Sequence, residues 1–157
     1  MCYPVWRLIR NNGANSLMFE RKKFKQKRRI LSPMPPQDVL DDLAERVRYR
    51  GNPSHKRNPG YFDLTPPAQP RADKTLCDLA SIFEKAVAQR WLQEGVRQGM
   101  ISSTSQDDYP KHIWAVTDEN VVLEANYNNE GPGNYHGYPL FEPDPFRQIV
   151  LNRWTRS

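Results

Sequence analysis

Apolar residues recur along this chain at two spacings, and the change from one to the other marks out the fold. Over residues 37–49, Val39, Leu40, Leu43 and Val47 share one side of a helical wheel, while Asp38, Asp42 and Glu45 take the other. That spacing predicts an amphipathic helix. Asp38, Asp41 and Asp42 near its start and Arg46, Arg48 and Arg50 near its end suit the helix dipole. Phe83, Val87, Trp91, Leu92 and Val96 repeat the helical spacing; Ser81-Ile82-Phe83-Glu84 has the form of a capping box, and Gly99 is a natural stop. Two strand-like runs then follow, at residues 113–117 and 121–127. The turn Asp118-Glu119-Asn120 joins them as a hairpin. A second turn over residues 128–133 leads into another strand at residues 134–139, and Asp144-Pro145 opens a last helix with Phe146, Ile149, Val150 and Trp154 facing inward. The order predicts an α+β domain, with helices packed on one face of a small antiparallel meander and the other face open to a ligand.

Two stretches interrupt the pattern. Residues 51–71 are rich in proline and glycine, and the stretch Thr65-Pro66-Pro67-Ala68-Gln69-Pro70-Arg71 cannot form a central strand or helix; long loops of this kind are commonly functional or disordered. Residues 1–33 carry the run Arg21-Lys22-Lys23-Phe24-Lys25-Gln26-Lys27-Arg28-Arg29, and prolines at Pro33, Pro35 and Pro36 close it. The expectation is a basic, flexible arm over residues 1–36 and one domain over residues 37–157.

Charge refines that division. The chain of 157 residues has a net charge of +5. Residues 1–36 hold nine Lys/Arg against one acid, a net of +8, and the remainder carries −3. Within the domain, residues 46–74 are basic again, with seven Lys/Arg against two acids. A basic strip on an otherwise acidic body is a candidate polyanion surface. Cys2 and Cys77 are the only cysteines, too few for a disulfide framework or a zinc site. No apolar run has membrane-spanning length, so a cytoplasmic location is expected, with no membrane partner, metal or cofactor.

The candidate chemistry lies in two histidine clusters. In Tyr135-His136-Gly137-Tyr138-Pro139, His136 and Tyr138 share a face of the strand, with Tyr135 and Gly137 opposite. In residues 51–60, His55 stands beside Lys56 and Arg57. Histidine moves protons near neutral pH and the cations can hold a phosphate. His136, His55 and Tyr138 are therefore the expected catalytic groups; Lys56, Arg57, Lys74 and Tyr135 are the expected substrate contacts. His112 reads as an edge or turn residue, Glu124 beside Asn126 as either an acid–base partner or an ordinary exposed strand carboxylate, and Trp91, Trp114 and Trp154 as packing residues.

The segments Gly51-Asn52-Pro53, His55-Lys56, Pro59-Gly60, Lys74-Thr75-Leu76-Cys77-Asp78 and Tyr135-His136-Gly137-Tyr138-Pro139, with Trp114-Ala115-Val116 and Leu123-Glu124-Ala125, resemble a family of small bacterial proteins with no assigned activity. The resemblance covers residues 37–157. At the level of architecture, the helix and small sheet with scattered His, Tyr, Lys and Arg are similar to the barnase–EndoU–colicin–RelE group of ribonucleases. That likeness implies metal-independent RNA cleavage through attack of the 2′-hydroxyl, often as a toxin. The expected function is accordingly a bacterial toxin-like endoribonuclease acting on RNA, tRNA and mRNA included, with an antitoxin or immunity protein as a neutralising partner. A non-catalytic nucleic-acid-binding module and a protein-interaction domain are the alternatives.

Overall fold

The computed structural model describes residues 28–50 and 84–154, together with the backbone of residues 6–10 and 17–21. His55, Lys56, Arg57, Lys74, Cys2, Cys77 and Ser81 lie outside the described residues. The fold is α+β, as the sequence pattern predicts. Strands β1 (Trp6–Arg10) and β2 (Leu17–Arg21) pair antiparallel as a two-stranded sheet within the expected arm. Helix α1 (Gln37–Arg46), the short strand β3 (Arg48–Tyr49) and helix α2 (Lys85–Arg97) follow. Then come β4 (Ser105–Gln106), β5 (Tyr109–Pro110), β6 (His112–Val116), β7 (Val122–Tyr127), β8 (Asn134–Pro139) and α3 (Phe146–Trp154).

The central sheet has the order β3-β8-β7-β6. Strands β6, β7 and β8 form the expected antiparallel meander. Asn120, with φ of 60°, makes the first turn of that meander, and Gly133, with φ of 75°, helps make the second. β3 departs from expectation. The first helix stops at Arg46, and the next residues pair parallel to β8 instead of continuing the helix to Tyr49. Gln89 of α2 supports that short strand on its outer side, accepting from Tyr49 N at 2.7 Å and donating to Val47 O at 2.9 Å. A side-chain amide thus supplies the hydrogen bonds a further strand would have made.

Strand alternation divides the side chains between two faces. On one face, Ile113, Ala125 and Tyr135 pack with Leu40, Leu43, Ala44 and Val47 of the α1 segment and with Ala88, Leu92 and Val96 of α2. On the other, Trp114, Val116 and Val122 pack with Phe146 and Val150 of α3. Two helices therefore cover one face and the third covers part of the other. Val39 and Ile149, both expected inside, are exposed; each helix meets the sheet along a narrower stripe than its apolar residues suggest. α2 begins one turn later than the capping box implies, since Glu84 is itself the extended N-cap residue. Asp144 caps α3 as expected, with Oδ1 accepting from Phe146 N at 2.9 Å.

The body also begins earlier than residue 37. Ile30 bridges to Ser102, Leu31 N donates to Ile101 O, and Ser103 N donates to Arg29 O. Residues 100–102 in turn bond to β6 through Trp114 N to Met100 O and Ser102 N to His112 O. Residues 28–31 are thereby fixed to the outer edge of the sheet. Among the described residues no helix is long and apolar enough to cross a membrane.

Candidate active site

The face shared with α3 is apolar at one end and polar at the other. Three cross-strand rows make it up. Val116 pairs with Val122 under α3; Trp114 pairs with Glu124, which pairs with Tyr138; and His112 pairs with Asn126, which pairs with His136. Beyond β8 the polar row ends at Arg50, which follows β3, donates its backbone N to Tyr135 O, and bonds Asn134 Oδ1 through Nε at 3.3 Å. Two half-buried imidazoles, an amide and an exposed guanidinium thus lie along one line across four chain segments.

The middle row supports the polar one. Glu124 is 3% exposed, and its carboxylate would be costly to bury without donors. Trp114 Nε1 donates to Oε2 at 2.8 Å, Tyr138 donates its hydroxyl to Oε1 at 2.7 Å, and Arg28 Nη1 lies 3.4 Å from Oε2. The same guanidinium bonds Asp144 Oδ2 at 2.5 Å and sits 5.6 Å from the centre of the Phe146 ring. Burial acts to lower the titration point of Arg28, but the Asp144 hydrogen bond and the charges of Glu124 and Asp144 outweigh it, and the guanidinium is held charged more firmly than usual. Burial, the Glu124 charge and the Glu124 hydrogen bond push the Tyr138 hydroxyl well above the ordinary tyrosine range. The phenol therefore stays protonated wherever the protein works.

Tyr138 connects the two rows. Asn126 Nδ2 donates to its oxygen at 3.0 Å, and Asn126 Oδ1 lies 2.6 Å from Nδ1 of His112. The His112 ring stacks on the Trp114 indole, with centroids 5.7 Å apart and planes 25° from parallel. A continuous hydrogen-bonded path runs from the buried carboxylate to a half-buried imidazole, the type of group that accepts and returns a proton near neutrality.

Of the residues singled out by sequence, His136 and Tyr138 do share this face. Tyr135 does not. Its ring is fully buried on the helix-covered face, its hydroxyl donates to Pro110 O at 2.6 Å, and burial drives its titration upward. It is a core residue with no surface to offer a substrate. Gly137 also faces the helices, where a Cβ would stand 3.1 Å from the backbone oxygen of Glu124 and in ordinary contact with the Tyr49 ring at 3.5 Å. His55, Lys56, Arg57 and Lys74 lie outside the described residues.

His112, Asn126, Glu124, Arg50 and Arg28 are the site residues that sequence reasoning passed over. The signal for the first three was present. A hairpin closed by Asp118-Glu119-Asn120 pairs Val116 with Val122, and alternation then carries His112 onto the face of Asn126 and Glu124.

A groove open to solvent lies on the opposite face, between α2 and the sheet, bordered by Tyr49, Trp91, Leu92, Leu123 and Ala125. Glu124 and Tyr138 border it through backbone alone, because their side chains point away. The phenol on its border, Tyr49, is buried and donates to Gly137 O at 3.4 Å, and no histidine borders it. Among the described residues no group of three or more His, Cys, Asp or Glu side chains is arranged to hold a metal ion. No known protein family, curated protein or solved structure matches the chain.

Proposed function

We propose that this protein is an endoribonuclease that works without a metal, with His112 and His136 as its acid–base pair and Arg50 as a phosphate contact. The observation that carries this reading is the row His112, Asn126, His136 on one sheet face. Two strand spacings separate the histidine backbones, about 10 Å, which leaves room for a phosphodiester between the ring ends. RNA supplies the nucleophile such a pair needs. One imidazole takes the proton of the 2′-hydroxyl as its oxygen bonds to phosphorus. The bond from phosphorus to the 5′-oxygen breaks, and the other ring, as imidazolium, gives that oxygen a proton. The products are a 2′,3′-cyclic phosphate and a 5′-hydroxyl.

Charge balance supports the same assignment of cations. Arg28 is engaged by Glu124 and Asp144, so it answers buried carboxylates and not a ligand. Arg50 stands exposed at the β3 end of the row, and the basic strip of residues 46–74 that includes it also includes Lys56, Arg57 and Lys74. Developing charge on phosphorus needs such donors. A toxin-like enzyme of the cytoplasm, acting on tRNA or mRNA and held in check by an acidic partner protein, fits this chemistry.

The test is incubation of the purified chain with tRNA, mRNA and rRNA in EDTA-containing buffer, followed by analysis of the new ends. We expect cyclic phosphate and 5′-hydroxyl ends. His112→Ala and His136→Ala should each lower cleavage by about 10²- to 10⁴-fold while folding as the parent does. Intact RNA, or a His136→Ala chain that cleaves as well as the parent, defeats the reading. Salt-sensitive RNA binding without cleavage would assign the face to a nucleic-acid-binding module instead.

A further inference from the structure

We infer that Asn126 is the positioning residue of the site, holding neutral His112 with its ring proton on Nδ1 and thereby making His112 the base and His136 the acid of the pair. The catalytic half of this inference rests on the ribonuclease reading; the tautomer does not.

The argument runs outward from the buried carboxylate. Trp114 Nε1 and Arg28 Nη1 are donors only, and both meet Glu124 Oε2. Oε1 faces the Tyr138 hydroxyl at 2.7 Å, and between a hydroxyl and a carboxylate oxygen the hydroxyl donates. With its proton directed to Glu124, the Tyr138 oxygen meets Asn126 as an acceptor. The amide must therefore turn its nitrogen toward Tyr138, which is the 3.0 Å contact. Its carbonyl oxygen is left facing His112 Nδ1 at 2.6 Å. A carbonyl oxygen cannot donate, so the proton in that contact belongs to His112.

A neutral imidazole has one N–H. With it on Nδ1, the lone pair is on Nε2, at the end of the ring away from Asn126. The free side chain favours the opposite tautomer, so each link of the path acts to reverse an intrinsic preference. Stacking on Trp114 fixes the ring plane as well. Asn126 lies between the two histidines but is bonded on both sides by protein, so it acts through His112 and not on the substrate.

The decisive measurement is a long-range ¹⁵N–¹H correlation spectrum of the full, uniformly labelled chain at a pH of about 8.5, two units above the ordinary imidazole value. His112 should show the pattern of a ring protonated at Nδ1. Asn126→Leu should return it to the Nε2–H pattern and lower kcat by roughly 100-fold with little change in KM. Tyr138→Phe removes the anchor of the amide and should give a mixture of tautomers with a smaller loss in kcat. The unaltered chain with His112 protonated at Nε2 overturns the inference, and this result needs no variant to fold. Retention of the Nδ1–H pattern in Asn126→Leu overturns it too, because some other group would then set the tautomer. An unaltered chain that shows the Nδ1–H pattern and leaves RNA intact sinks the ribonuclease reading while upholding the assignment of the proton.

Discussion

The two faces of the central sheet are built from the same three strands and do opposite things. The face under α1 and α2 is carbon almost throughout, and the two phenols buried there, Tyr49 and Tyr135, each donate to a backbone carbonyl, Gly137 O and Pro110 O. The face shared with α3 is apolar only where Trp114, Val116 and Val122 meet Phe146 and Val150. Past Glu124 it turns into a chain of side-chain hydrogen bonds that ends at His112. Period-two alternation makes this possible: each strand packs under α1 and α2 with one set of residues and lines the polar row with the next. The lesson is that the apolar groove beside α2 and the row of imidazoles lie on different faces.

That contrast can be broken from either side. The largest loss of stability is expected on the polar face. Glu124→Ala leaves Trp114 Nε1, the Tyr138 hydroxyl and Arg28 without their shared acceptor, and should cost about 3–5 kcal/mol of unfolding free energy in urea titration. Next comes the apolar face, where Leu92→Ala empties a buried site against the sheet and should cost about 2–5 kcal/mol. RNA cleavage per folded molecule should stay at the parent level in that variant, since His112, Asn126 and His136 lie on the other face; a fall in cleavage would mean that the two faces are coupled.

The smallest effect is a pH dependence. Tyr135 and Tyr138, one on each face, both have titrations raised from 10.0, with burial as the first cause. A raised folded value means that their contribution to stability is complete below a pH of about 10, the unfolded tyrosine value. Above it the unfolded chain loses protons that the folded chain keeps, so stability falls as pH rises. Each buried phenol adds up to about 1.4 kcal/mol per pH unit to that fall. Tyr138→Phe should remove one share of the slope in alkaline unfolding curves and leave the share of Tyr135.

Much of the frame was legible in the sequence. The meander, its two turns, the Asp144 cap and the shared face of His136 and Tyr138 follow from local pattern alone. What escaped depends on partners far away in the chain. β3 exists because Gln89, forty positions later, satisfies its outer edge. Val39 and Ile149 are apolar and exposed because the width of a helix contact is set by its neighbour, which periodicity does not describe. His112 reads as a turn residue until the register of three strands is known. Arg28 sits in a run of cations that reads as a solvated arm, and only folding reveals that Glu124 and Asp144 await it.

That last pairing ties distant parts of the molecule into one joint. Arg28 fastens the end of the basic run to the residue that caps α3 and to the carboxylate beneath Tyr138. A pull on the end of that cationic run would reach the sheet edge through the backbone bonds of residues 29–31 and the root of the hydrogen-bonded path through the Arg28 guanidinium. The run is in that sense a handle on the site.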